Sequence, residues 1–162
     1  MALIEISRDA AGWRAIPRID AVVRRAAEAA LKGAGAALRD DVEISLLLTD
    51  DATIRDLNHR WRNKDKATNV LSFPAVAADQ LREARALGDI VIACETVFAE
   101  ARKEGKTPAD HLTHLVAHGV LHLLGYDHED DVEAEEMEAL ETRILAGLSI
   151  ADPYAASEAA GR

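Results

Sequence analysis

At 162 residues and 49% apolar content, the chain is long enough to build one hydrophobic core and gives no reason to expect a second. Its single cysteine, Cys94, excludes an intrachain disulfide, and no stretch approaches the roughly 18 apolar residues that a membrane span needs. A formal net charge of -10 excludes the simplest kind of nucleic-acid binder, one with a basic surplus over the whole surface.

The opening residues, MALIEISRDAAGW, lack a basic start followed by an apolar run and a small-residue cleavage site, so a soluble cytoplasmic protein is expected. Leu3 to Ser7 reads as a first short strand. Pro17 then stands where a helix can begin, and Ile19, Val22, Val23, Ala26, Ala30 and Leu31 recur at helical spacing until Gly33 and Gly35. Val42 to Thr49 is β-branched and apolar enough for a central strand. Asp50 or Asp51 caps a helix to about Trp61, with Ile54, Leu57 and Trp61 facing inward. Asn69 to Phe73, ended by Pro74, and Asp89 to Ala93, introduced by Gly88, are two further strands; Ala75 to Leu87 between them reads as a loop or partial helix.

A helix from Thr96 to about Lys103 closes at Gly105. The next is the most clearly punctuated, with Thr107 as N-cap, Pro108 in the first helical position, Asp110 in the first turn and Gly125 just past the end. Gly105-Lys106-Thr107 resembles the end of a phosphate-binding loop, but Glu100 stands where the first glycine is required, so the segment is a helix boundary. A last helix from about Asp131 to Gly147 has Met137, Leu140, Ile144 and Leu148 as its apolar stripe and its glutamates on the solvent side. The expected fold is α/β (α+β): a small mixed sheet of about four strands packed with about five helices, around a central buried helix. Residues 1–151 form one domain, and 152–162 a flexible tail of small residues. Cys94 is expected as a small buried hydrophobe, and His59 as an exposed helix residue.

Charge is unevenly spread. Arg55, Arg60, Arg62, Lys64 and Lys66 are opposed locally only by Asp56 and Asp65, whereas Glu129, Asp130, Asp131, Glu133, Glu135, Glu136, Glu138 and Glu141 crowd one later segment. A basic patch can therefore exist on an acidic protein, although on charge alone a solvated helix end and loop is the simpler account of the run. The acidic helix is likewise a solvated face or, alternatively, a docking face for a basic partner.

Five of the six histidines fall in HLTHLVAHGVLHLLGYDH. At about 3.6 residues per turn, His111, His114, His118 and His122 project within an arc of about 80°. The rest of that helix is apolar nearly all round, the pattern of a buried helix, and buried imidazoles need polar partners. His118 and His122 have the i, i+4 spacing by which two imidazoles grip one ion, and Gly125 turns the chain so that His128 can return as a third ligand. H-x3-H-x2-G-x2-H is also the spacing of the metzincin zinc site. Three neutral imidazoles suit Zn2+, one per chain, although nickel, copper or iron could use the same set. Three protein ligands leave a fourth position open for chemistry. The departure matters too: where H-E-x-x-H peptidases carry their glutamate base, this chain has Gly119. Asp127 is either a partner of the metal site or a locally hydrogen-bonded turn residue.

HGVLHLLGYDH followed by EAEEMEALE, with NKDKATNVLSFP and LGDIVIA upstream, resembles the YbeY family of single-zinc endoribonucleases over roughly Asn58 to Tyr154. Ala67 stands where many members have proline. The resemblance implies zinc on His118, His122 and His128, and a part for Arg62 in RNA cleavage. It further implies single-stranded RNA as substrate, a role in ribosomal RNA processing, including the 3′ end of the small-subunit RNA, and in ribosome quality control, with the small ribosomal subunit and its proteins as partners. In that light Arg60, Lys64 and Lys66 are candidate RNA-binding residues, Arg62 can stabilise charge on phosphoryl oxygens, and His114 is either a proton donor or substrate contact, or a partner of the metal-binding histidines. Trp61 is assigned to the core rather than to base stacking. Attack by metal-activated water and attack by the neighbouring ribose 2′-hydroxyl both remain open. The competing functions are a zinc peptidase without the usual glutamate, and a non-catalytic, metal-stabilised ribosome-assembly factor.

Overall fold

Apolar, β-branched runs flanked by caps and glycines build one four-stranded sheet with helices interleaved in the chain. The computed structural model describes residues 2–154. In chain order the elements are β1 (Leu3–Arg8), α1 (Ile19–Ala34), β2 (Glu43–Thr49), α2 (Asp51–Arg62), β3 (Val70–Pro74), β4 (Ala86–Ala93), α3 (Cys94–Glu104), α4 (Pro108–Leu123) and α5 (Asp131–Gly147). Short 3-10 turns occur at Ala11–Ala15 and Ala78–Glu83. The sheet order is β1-β2-β4-β3, with β1, β2 and β4 parallel and β3 antiparallel to β4. The mixed sheet and helical count agree with the fold expected from the sequence.

The central strands present Ile44, Leu46, Leu48, Ile90 and Ile92, all essentially inaccessible, to a core completed by α1 and α4. Helix α4 packs against α1, α3, α5 and the β3–β4 half of the sheet, which accounts for its apolar circumference. Its start is as expected: the Thr107 hydroxyl accepts from the Asp110 amide at 3.1 Å, with Pro108 in the first turn. At its end Gly125 takes φ +98°, and the amides of Gly125 and Tyr126 donate to the carbonyls of His122 and Leu121, closing the helix in a Schellman turn.

Four details differ from the sequence reading. Strand β4 starts at Ala86, and Gly88 lies inside it at φ +137°, where a Cβ would stand 2.2 Å from the Phe73 carbonyl oxygen; the glycine permits close approach of β3 rather than marking the strand's start. Trp61 is 69% exposed: it keeps the direction of Ile54, seven residues earlier, but lies in the last turn of α2, where it borders an open groove beside Leu57 and Phe73. The buried indole is instead Trp13, which donates to the Thr49 carbonyl at 2.9 Å. Glu141, read as one of the solvent-side glutamates, is fully buried on the α5 stripe. Tyr154, read as part of the tail, packs edge-on to His114; residues 155–162, the remainder of that tail, lie outside the described residues.

Cys94 is buried, and burial pushes its thiol up to about 11, so it is not a nucleophile at neutral pH. Among the described residues, no helix is long and apolar enough to cross a membrane.

Candidate metal centre

Helix α4 aligns His114, His118 and His122 along one stripe, and the Schellman turn after Leu123 brings His128 back over the last two. One ring nitrogen from each of His118, His122 and His128 lies within 4.8 Å of the other two. The Nε2 atoms of His118 and His122 converge to 3.0 Å. Around a tetrahedral zinc with bonds of about 2.0–2.1 Å, ligand nitrogens stand roughly 3.3 Å apart, so the three rings fit one such ion with small adjustments. Burial first, and then the neighbouring His118 and His128, push the His122 imidazole down to about 4, which keeps it neutral and able to ligate at physiological pH.

Behind these rings lies a carboxylate that the sequence reading missed. Glu141 accepts from His118 Nδ1 at 2.5 Å, from His114 Nε2 at 2.9 Å and from the Tyr154 hydroxyl. Burial alone raises this carboxyl, but the hydrogen bonds from His114 and His118 outweigh it and lower it to about 2. A signal for it exists in the sequence, because Glu141 follows Met137 by one turn and lies between Leu140 and Ile144 on the apolar stripe.

The histidines open into a cleft of about 710 Å³ whose facing wall carries Asn58, Arg62, Lys64 and Lys66. Arg62 is held there: Nη2 donates to the Ser72 carbonyl at 2.7 Å, and the guanidinium lies 5.5 Å from the centre of the Phe73 ring. Lys64 and Lys66 have no ion-pair partner among the described residues. The loop that carries them is pinned by Asn58, a buried polar residue also missed in the sequence, whose Nδ2 donates to the Lys66 carbonyl at 3.0 Å.

Two candidates are not brought to the cleft. Arg60 projects to solvent and pairs with Asp56 at 2.6 Å, a helical i, i+4 contact. His114 does not line the cleft; its Nε2 is committed to Glu141 and its Nδ1 is buried without a partner. Asp127 lines the cleft and accepts from the His128 amide at 2.7 Å, the local hydrogen bond of a turn aspartate. His111 belongs to a separate network: its Nε2 and Asn69 Nδ2 both meet Glu100 Oε1, at 2.8 and 2.9 Å, tying α4, α3 and the start of β3 together.

Gly119 faces the sheet. A Cβ there would stand 3.0 and 3.1 Å from Ile90 side-chain atoms and 3.2 Å from Ser72 Oγ, so the place of a peptidase's glutamate has no room for one.

Comparison with known proteins gives a consistent answer. A family profile described as Endoribonuclease YbeY matches residues 11–149. An Endoribonuclease YbeY of Azorhizobium caulinodans is 58% identical over 144 residues, covering 89% of this chain and 91% of the relative. Another from Agrobacterium fabrum is 50% identical over 161 residues, 96% of each chain. Among solved structures, the solution structure of TM1509 from Thermotoga maritima superposes with a TM-score of 0.62 at 26% identity, covering 98% of this chain and 94% of that one.

Proposed function

The chain belongs to the YbeY family of endoribonucleases, and on that footing we propose that it cleaves single-stranded RNA with one zinc ion held by His118, His122 and His128. It is a nuclease, hence a hydrolase, and the processing of ribosomal RNA is consistent with its family. Maturation of the 3′ end of the small-subunit RNA, ribosome quality control, contact with the small subunit and its proteins, and a cytoplasmic location complete the proposal.

The observation that carries this reading is the pairing, across one cleft, of three convergent imidazole nitrogens with Arg62, Lys64 and Lys66. Bound zinc would supply Lewis-acid charge at a phosphoryl oxygen. The chain's own residues do the rest. Lys64 and Lys66 attract the backbone as point charges and set its register in the cleft. Arg62, already oriented by the Ser72 carbonyl, has guanidinium N–H groups left to stabilise charge growing on the phosphate, and its ordering is paid before the substrate arrives. Peptide hydrolysis is disfavoured because the backbone at Gly119 excludes the base that such chemistry uses.

The test compares wild type, Arg62→Ala and His122→Ala for metal content, cleavage of single-stranded RNA and cleavage of casein. Wild type should carry about one zinc and cut RNA alone. Arg62→Ala should keep the zinc and its melting temperature while losing on the order of 10²- to 10³-fold in kcat/KM, and His122→Ala should lose both metal and activity. Loss of zinc or of the fold in Arg62→Ala would remove its assigned role; zinc without cleavage of either substrate would identify a non-catalytic assembly factor.

A further inference from the structure

Glu141 is a fully buried carboxylate contributed by α5, the last helix, to a histidine stripe on α4. Such a group is tolerated only when its lone pairs are taken, and here one oxygen accepts from His118 Nδ1 while the other accepts from His114 Nε2 and the Tyr154 hydroxyl. The arrangement restricts His118. A carboxylate can only accept, so His118 must carry a proton on Nδ1, which in the neutral ring leaves Nε2 as a lone pair. Nε2 is the atom that converges on His122 at 3.0 Å. By the same logic His114 carries its proton on Nε2, in agreement with its buried, unpartnered Nδ1. Tyr154 meets the His114 ring edge-on, with centroids 5.8 Å apart, and covers the carboxylate from the C-terminal side.

We propose that Glu141 is the positioning residue of the metal centre: it locks His118 into the Nδ1–H tautomer that aims Nε2 at the ion, and His114 and Tyr154 hold the carboxylate in place for that task. The proposal rests on the reading that His118, His122 and His128 hold zinc. It also gives His114 a role inside the protein rather than at the substrate. The last described residue, Tyr154, thereby becomes part of the centre although it lies 26 positions beyond His128 in the chain. The carboxylate–histidine–metal arrangement is one in which loss of the outer group weakens metal binding by about 10- to 100-fold.

The experiment uses the full chain in metal-free form and follows the imidazole nitrogens by long-range 1H–15N correlation, then measures zinc affinity by competition with a chromophoric chelator. Wild-type His118 should appear as the Nδ1–H tautomer. In Glu141→Gln the amide has one acceptor oxygen for two histidine donors, so His118 should become a tautomeric mixture and zinc affinity should fall about 10- to 100-fold. Tyr154→Phe should lower affinity in the same direction by less. A purely structural Glu141 would lower the melting temperature and leave tautomer and affinity unchanged, and that result overturns the proposal. The wild-type spectrum decides alone if Glu141→Gln does not fold, because an Nε2–H His118 is incompatible with the proposed lock. An Nδ1–H His118 in a protein that takes up no zinc would refute the zinc reading, and with it the metal-centre role of Glu141, while leaving the tautomer lock in place. Equal zinc affinity in wild type and Glu141→Gln would refute the positioning and leave the zinc reading intact.

Discussion

A side chain at position 119 would have to occupy the contact between α4 and the sheet. The ideal Cβ lies 3.0 and 3.1 Å from Ile90 atoms, and the Ser72 hydroxyl donates to the Gly119 carbonyl at 3.2 Å, so backbone and strand meet there directly. Gly119→Glu, which restores the peptidase motif on paper, should destabilise the protein by about 3 kcal/mol or more, since overpacking and an unpaired buried charge act together. Thermal melting of the variant checks this, and casein should remain uncut. A wild-type melting temperature would mean that α4 can lift from the sheet. The same residue scale shows what the sequence makes legible. His118, His122 and His128 declare themselves through fixed spacing and a helix-ending glycine, because ligand geometry within one helix and its turn is a local property. Glu141 is marked only by its place on the apolar stripe, because its partner histidines are on another helix and its neighbours in EAEEMEALE are indistinguishable from it by charge. Trp61 misleads for a related reason, since a helical stripe specifies a direction but not whether a sheet lies beneath that turn.

Between α2 and β3 the chain must reverse and still present cations to the cleft. Asn63 takes a left-handed conformation, φ +55°, and Asn58 holds the segment after it through its Nδ2 bond to the Lys66 carbonyl, while its own carbonyl accepts from the Lys64 amide at 3.2 Å. Asn58→Ala removes the side-chain donor from a largely buried site, at a cost of roughly 1–3 kcal/mol. The loss should concentrate in the loop: amides of residues 64–68 should exchange faster in hydrogen–deuterium measurements, KM for RNA should rise, and zinc affinity should stay as it was. Uniform loss of protection across β2 and β4 would instead make Asn58 a general core residue. At this scale most element boundaries are readable, because signals such as Asp50 and Thr107 as N-caps and Pro108 in a first turn act within one turn. The stretch from Ala75 to Leu87 is not, since β4 begins early in order to pair Ala86 with Glu43 of β2, a contact set by tertiary structure.

At the scale of the whole molecule, strand order escapes the sequence because β2 and β4 both read as apolar runs, and periodicity alone cannot say which of them flanks β3. The pairing of β4 with both neighbours is what sets the β3 edge beside α4, and so places the basic loop opposite the histidines. Net charge is equally uninformative until the fold is known: -10 over the chain coexists with a cleft wall bearing Arg62, Lys64 and Lys66. Counterion release makes this measurable. Binding of single-stranded RNA that neutralises three phosphates should give a slope of log K against log salt of about −2, taking roughly −0.7 for each contact. Replacing both Lys64 and Lys66 by Ala should reduce the slope to about −0.7, leaving Arg62 alone, whereas replacing Arg60, already paired with Asp56, should leave it unchanged. A slope insensitive to Lys64 and Lys66 would mean that the phosphates run over another surface. A slope near zero in wild type would mean that the acidic remainder of the protein, repelling RNA over a Debye length of roughly 10 Å, cancels the attraction of the cleft.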